Sequence, residues 1–165
     1  MEEKSQYSRL VDIIARLRAE DGCPWDREQT HSSLKKACIE EAAEVICGIN
    51  IYEKTRNADN LKEELGDLLL QVVMHARIAE EEGLFNMEDV CKSVADKMVR
   101  RHPHVFGDVN VSGSEEVLKN WEEIKKGEHE TDEIDVNEYL FDAFSESKQL
   151  IDAAEKRKRE KLGKN

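Results

Sequence analysis

Apolar residues recur at three- and four-residue intervals along most of the chain, and the pattern breaks at only a few places. Leu10, Ile13, Ile14 and Leu17 share one side of a 3.6-residue repeat and predict an amphipathic helix over about Ser5 to Glu20, stopped by Asp21-Gly22. The run Gly22-Cys23-Pro24-Trp25-Asp26-Arg27-Glu28-Gln29 reads as a loop. Thr30 then offers a hydroxyl to the free N–H groups of a second helix that reaches about Lys54. Polar residues from Thr55 to Asp59 form a turn. A third helix is expected over about Asn60 to Glu82, closed by Gly83, and a fourth from near Asn86 to just before Pro103. Pro103 lacks an N–H and restricts the residue before it, so His102 to Asp108 reads as a loop. Ser114-Glu115-Glu116 opens a short fifth helix carrying Trp121, Ile124 and Lys125. Polar, acidic sequence from Gly127 to about Asp135 precedes a last helix from about Asn137 towards Lys161, with a solvated end rich in Lys, Arg and Glu.

Composition supports an all-α fold. The 165 residues include only two prolines and are rich in Glu, Lys, Leu and Ala, which are good helix formers. Hydrophobic residues make up 39% and charged residues 38%, so an economical core under a highly charged surface is expected. The net charge of -12 argues against a nucleic-acid binder, which needs a basic face. A phosphorylated small molecule stays admissible, because a bound metal reverses the local sign. Cys23, Cys38, Cys47 and Cys91 are scattered without metal-binding spacing, and Cys38, Cys47 and Cys91 fall in helical patterns as small reduced packing residues. No signal peptide or membrane span is visible, so a reduced, cytoplasmic protein is the expectation.

Two acid pairs change the picture. Glu41 and Glu44 lie in Glu40-Glu41-Ala42-Ala43-Glu44, and Glu64 and Asp67 in Glu63-Glu64-Leu65-Gly66-Asp67. Each pair is spaced i, i+3, which puts both carboxylates on one side of a helix. On the second helix Leu34, Cys38, Ala42, Val45 and Ile49 form a stripe with Glu41 at its edge and Glu44 a little further round. On the third, Leu61, Leu65, Leu68, Leu69, Val72 and Ala76 form the stripe, with Glu64 and Asp67 beyond its matching edge and Gln71 and His75 below. If the two helices pack antiparallel through these stripes, the acids flank the seam. Any one of them could be a solvated residue beside an apolar stripe. Four together repel one another unless a cation sits between them, and Mg²⁺, which commonly accompanies phosphates, is the ordinary candidate.

The segments around the acids resemble a known family. Cys23-Pro24-Trp25-Asp26-Arg27-Glu28-Gln29-Thr30, the two acid motifs, and Arg100-Arg101-His102-Pro103-His104-Val105-Phe106-Gly107 are similar to those of MazG nucleoside triphosphate pyrophosphohydrolases, over about Leu10 to Lys126. The Glu-Glu-x-x-Glu and Glu-x-x-Asp motifs also occur in a wider all-α superfamily of dUTPases, dCTP pyrophosphatases and phosphoribosyl-ATP pyrophosphohydrolases.

The resemblance implies an α-helical bundle completed by dimerisation. It divides the chain into a catalytic helical domain at 1–126, an acidic linker at 127–136 and a C-terminal helix at 137–165 that packs on the same bundle or on a partner subunit. It implies that Glu41, Glu44, Glu64 and Asp67 hold Mg²⁺, with Mn²⁺ as a substitute. Glu40 and Glu63 are neighbouring acids that bind a second metal, orient the others or activate water. Lys97 and Arg101 contact the triphosphate, and Trp121 and Lys125 help hold base and phosphate. Two features depart from the family. Tandem members carry two copies of the domain and this chain has one, with the Cys-Pro-Trp-Asp segment of the first copy. Asn60 stands where catalytic copies often carry a phosphate-reaching Lys.

Three functions remain in play. The first is a Mg²⁺-dependent hydrolase that converts nucleoside triphosphates to monophosphates and pyrophosphate, working as a homodimer or higher homo-oligomer with no nucleic-acid or membrane partner. The second is a narrower activity on dCTP or phosphoribosyl-ATP. The third is a low-turnover nucleotide-binding or dimerisation module.

Overall fold

Several helices begin in this chain where a side chain or a proline accommodates the free N–H groups of a first turn. The computed structural model describes residues 5–128 and 134–163. Its helices are α1 (Gln6–Leu17), α2 (Pro24–Arg27), α3 (His31–Thr55), α4 (Asp59–Glu81), α5 (Met87–Arg101), α6 (Pro103–Phe106), α7 (Ser114–Glu128) and α8 (Val136–Lys161). No strand occurs among the described residues, so the fold is all-α. Residues 129–133 of the expected acidic linker, and the end of the chain from residue 164, lie outside the described residues.

Ser5 Oγ accepts from the Ser8 N–H at 3.1 Å and opens α1. Thr30 caps α3 reciprocally: its Oγ1 accepts from the Ser33 N–H at 3.1 Å, and Ser33 Oγ accepts from the Thr30 N–H at 2.9 Å. Gly83, at φ 72°, stands beyond the last turn of α4 in a left-handed conformation that favours glycine. Two expected loops instead contain one-turn helices, α2 and α6. In each, a proline occupies the first helical position, where the missing N–H costs nothing and φ is already helical.

The chain divides into two compact units. One runs up to Met87 and resumes at Leu140; the other spans Glu88–Tyr139. In the first, α3 and α4 form a long antiparallel pair, and α1 packs on α4. The antiparallel sense follows from the partners: Gly48 of α3 meets Leu61 near the start of α4, and Cys38 of α3 meets His75 further along. The core comprises Ile14, Leu34, Val73, Met74 and Ile78, with Leu10, Val11, Leu17, Leu70 and Met87 against it. Arg18 fastens this end. Its almost buried guanidinium pairs with Glu81 at 2.7 Å and donates to the Gln29 carbonyl at 3.1 Å.

The expected stripe on α4 is only partly covered. Leu65 (50% exposed), Leu69 and Val72 face solvent in the single chain, as does Ile49 of α3. Residues buried on α4 are Gln71, Val73, Met74, Ala76, Ile78 and Ala79. The cause is that α4 is apolar over more than one face. α1 and α3 cover part of its circumference, mainly in the C-terminal half, and the row Leu65, Leu69, Val72 falls outside it. The acid-bearing N-terminal half therefore lies in the more open part of the pair.

Candidate metal centre

Glu41 projects from the middle of α3, and Glu64 and Asp67 from the first half of α4. The antiparallel pairing brings them together: one carboxylate oxygen from each lies within 4.8 Å of the others. All three residues are half-buried. Burial pushes the Glu41 carboxyl above the usual carboxylate range, and Glu44, Asp67, Glu64 and Glu40 push it the same way. Three hard oxygen donors converging without sulfur or nitrogen suit Mg²⁺ or Mn²⁺ better than a soft transition metal.

The other expected acids are placed differently. Glu44 is hydrogen-bonded to Lys158 of α8, and Glu40 to Arg157. Lys158 is held protonated chiefly by its bond to Glu44, with the charges of Glu40 and Glu41 adding to it. Glu63 is exposed on α4. Arg157 and Lys158 belong to a segment whose composition reads as a solvated helix end. Their partners lie more than a hundred residues earlier, and no local pattern marks that pairing. Beneath them a cavity of about 260 Å³ separates α8 from α3, walled by Ile39, Ala43, Cys47, Ile151 and Ala154. Cys47 lines this groove and is exposed, rather than packed as the helical pattern suggests.

Below the acids, a polar line joins α3 to α4. His31 Nδ1 and His75 Nδ1 are 2.7 Å apart with stacked rings, and His75 Nε2 lies 3.3 Å from Cys38 Sγ. One of the two Nδ1 atoms must donate and the other accept, so the pair holds a single proton between its rings. Burial, then the neighbouring His31, lowers the His75 pKa. Burial raises that of Cys38, which keeps it a thiol.

The second unit holds the basic and aromatic candidates. Arg101 is buried and bonds Glu128 Oε2 through Nε at 3.0 Å and Nη2 at 2.6 Å, while Arg100 Nε reaches Oε1 at 3.0 Å. The Arg101 guanidinium lies 5.1 Å from the centre of a Trp121 ring, and His102 meets the same side chain edge-on at 5.0 Å. Arg101 and Trp121 thus meet each other, tying α5 to α7. Lys97 is half-buried on α5 and Lys125 is exposed on α7.

Residues 29–106, which carry α3 to α6 with Glu40, Glu41, Glu44, Glu63, Glu64 and Asp67, match the MazG nucleotide pyrophosphohydrolase domain. A solved structure of a mazG-related protein from Thermotoga maritima superposes with a TM-score of 0.58 at 31% identity, covering 72% of this chain and 98% of that one. The chain belongs to the MazG family. The nucleoside triphosphate pyrophosphohydrolase/pyrophosphatase MazG of Thermotoga maritima is 44% identical over 151 residues, 90% of this chain and 56% of its own length. The nucleoside triphosphate pyrophosphohydrolase of Escherichia coli K12 is 47% identical over 125 residues, 75% of this chain and 46% of its own length. The chain thus spans about half the length of these curated MazG relatives. Trp121, Lys125 and α8 lie beyond the segment that matches the MazG domain.

Proposed function

We propose that this chain is a Mg²⁺-dependent nucleoside triphosphate pyrophosphohydrolase that cleaves between the α- and β-phosphates, releasing a nucleoside monophosphate and pyrophosphate. The observation that carries the proposal is the convergence of Glu41, Glu64 and Asp67 from two helices. These three would hold the metal, with Glu44 joining them when Lys158 lets it go. A bound Mg²⁺ supplies neutralisation of phosphate charge and a more acidic water. The chain's own groups do the rest. Glu40 and Glu63, beside the site residues in sequence, are candidates to orient the water and accept its proton. Lys97 and Lys125 grip phosphate, Arg101 joins them when Glu128 releases it, and Trp121 offers a ring to the base. The exposed row Leu65, Leu69 and Val72 supports assembly as a homodimer or higher homo-oligomer. No described helix is long and apolar enough to cross a membrane, and the proposed setting is the cytoplasm.

A panel of NTPs and dNTPs, including dCTP, together with phosphoribosyl-ATP, tests the reaction by product identity. Monophosphate and pyrophosphate from several bases are expected; diphosphate and inorganic phosphate would contradict the cleavage site. Turnover of dCTP or phosphoribosyl-ATP alone would favour the narrower superfamily activity. One observation favours the low-turnover module: Glu44 and Arg101 are both already engaged by side chains of the same chain. Nucleotide binding without pyrophosphate release at high enzyme concentration would establish that reading.

A further inference from the structure

Asn60 stands one turn before Glu64 on α4, where the family resemblance implies a phosphate-reaching Lys. The structure gives it a different task. Its Nδ2 donates to Glu64 Oε1 at 2.8 Å in a part-buried setting, while its Oδ1 is buried and has no donor. The amide cannot simply be turned over: that would bring Oδ1 against the Glu64 oxygen, acceptor to acceptor.

Glu64 needs such a partner. Its carboxylate lies within 4.8 Å of those of Glu41 and Asp67. A Glu side chain has three rotatable bonds with which to turn away from two like charges. A neutral donor can hold it in place without competing with a metal, which a Lys or Arg ammonium or guanidinium would do. Asn60 ties Glu64 through Oε1 alone.

We propose that Asn60 is a positioning residue: its amide fixes the Glu64 carboxylate for cation binding, and its Oδ1 stays available to a donor, a water or a substrate hydroxyl, that enters with the ligand. This rests on the proposed metal-dependent hydrolysis. The position also explains why a neutral side chain suffices here, since its role is the orientation of an acid rather than the neutralisation of phosphate.

The test is titration of the purified chain with Mn²⁺ alone, followed by the electron paramagnetic resonance of the free ion, for wild type, Asn60→Ala and Asn60→Gln. Thermal unfolding of each metal-free protein accompanies it. Ala is a better helix former than Asn, so the substitution leaves α4 intact. Asn60→Ala is expected to weaken Mn²⁺ binding about tenfold, the scale for losing a partner that orients a metal-binding side chain, with its metal-free Tm unchanged. Asn60→Gln, which keeps the amide, recovers most of the affinity. In turnover, Asn60→Ala raises the half-saturating metal concentration and leaves kcat at saturating metal near wild type. Unchanged Mn²⁺ affinity in Asn60→Ala would overturn this role alone, leaving the metal site standing. A wild-type chain that binds no Mn²⁺ would overturn the metal reading and this role with it.

Discussion

Glu41 shows what a single residue gives up to stand in this site. Its carboxyl is pushed up by burial first and then by Glu44, Asp67, Glu64 and Glu40. A carboxyl raised in the folded state favours the fold while protonated, and that contribution is lost as pH rises through the folded pKa. Ionising Glu41 in the metal-free protein therefore works against the fold. Glu41→Gln should raise the metal-free Tm at about pH 7, because it removes a charge that burial and four neighbouring acids disfavour. The gap between wild type and variant should close as pH falls below the ordinary carboxylate value of 4.5. Calorimetry of both proteins across that range measures it; a variant less stable than wild type at neutral pH would show that Glu41 is held by a favourable contact instead. Asn60 and Glu64 illustrate the limit of reading residues by type. The family resemblance marks Asn60 as a missing Lys, and only the structure reveals its 2.8 Å bond to Glu64.

At the scale of helices, the termini were the most legible feature. Thr30 opens α3 and Gly83 follows the end of α4 as their chemistry dictates, because capping is local. Pro24 and Pro103 were harder to place, since proline breaks a helix from inside and opens one from its first turn. The stripe on α4 was legible as apolar but not as buried: periodicity shows which faces are hydrophobic, and only packing decides which of them finds a partner. Gly48 shows how closely α3 and α4 approach. A Cβ there would stand 2.8 Å from the Leu61 Cα, a backbone atom that cannot step aside. Gly48→Ala should cost about 1–3 kcal/mol by overpacking, read as a lower urea midpoint with an unchanged slope; a neutral result would mean the helices can separate freely.

The contact of α8 with the acid helix is long-range and electrostatic, so sequence carried no sign of it. Exposed pairs of this kind are individually weak, yet Lys158 occupies Glu44, an acid expected to hold metal. Lys158→Met should tighten Mn²⁺ binding about two- to fivefold, a gain of up to ~1 kcal/mol. Lys35→Met, which breaks the Lys35–Glu146 pair between the same two helices, should leave it unchanged. Equal effects from both would reduce the result to general surface charge.

Across the whole molecule, a net charge of -12 and a focused acid cluster predict two separable responses to cations. Monovalent salt should raise Tm modestly by screening, and Mg²⁺ should raise it further at equal ionic strength by binding the folded state. Thermal melts in NaCl and MgCl₂ compare them, and identical curves would argue that the acids act only as diffuse charge. The family and its all-α fold were readable from sequence because the motifs flanking the acids are distinctive and local. The meeting of Glu41 with Glu64 and Asp67 was readable in outline, since edge positions on consecutive helices imply it. The placement of Glu44 and Glu40 was not, since it depends on a helix far along the chain.

The central claim is that these acids form a cation site that turns over nucleoside triphosphates. Its most direct test is pyrophosphate release from an NTP with Mg²⁺ in a single turnover at enzyme excess, for wild type and Asp67→Asn. Wild type should release about one pyrophosphate per nucleotide, and Asp67→Asn should be slower by at least about a hundredfold, in line with the loss of an essential catalytic electrostatic contact, with its helical circular dichroism intact. Equal rates in the two proteins, or no pyrophosphate from wild type, would contradict the account.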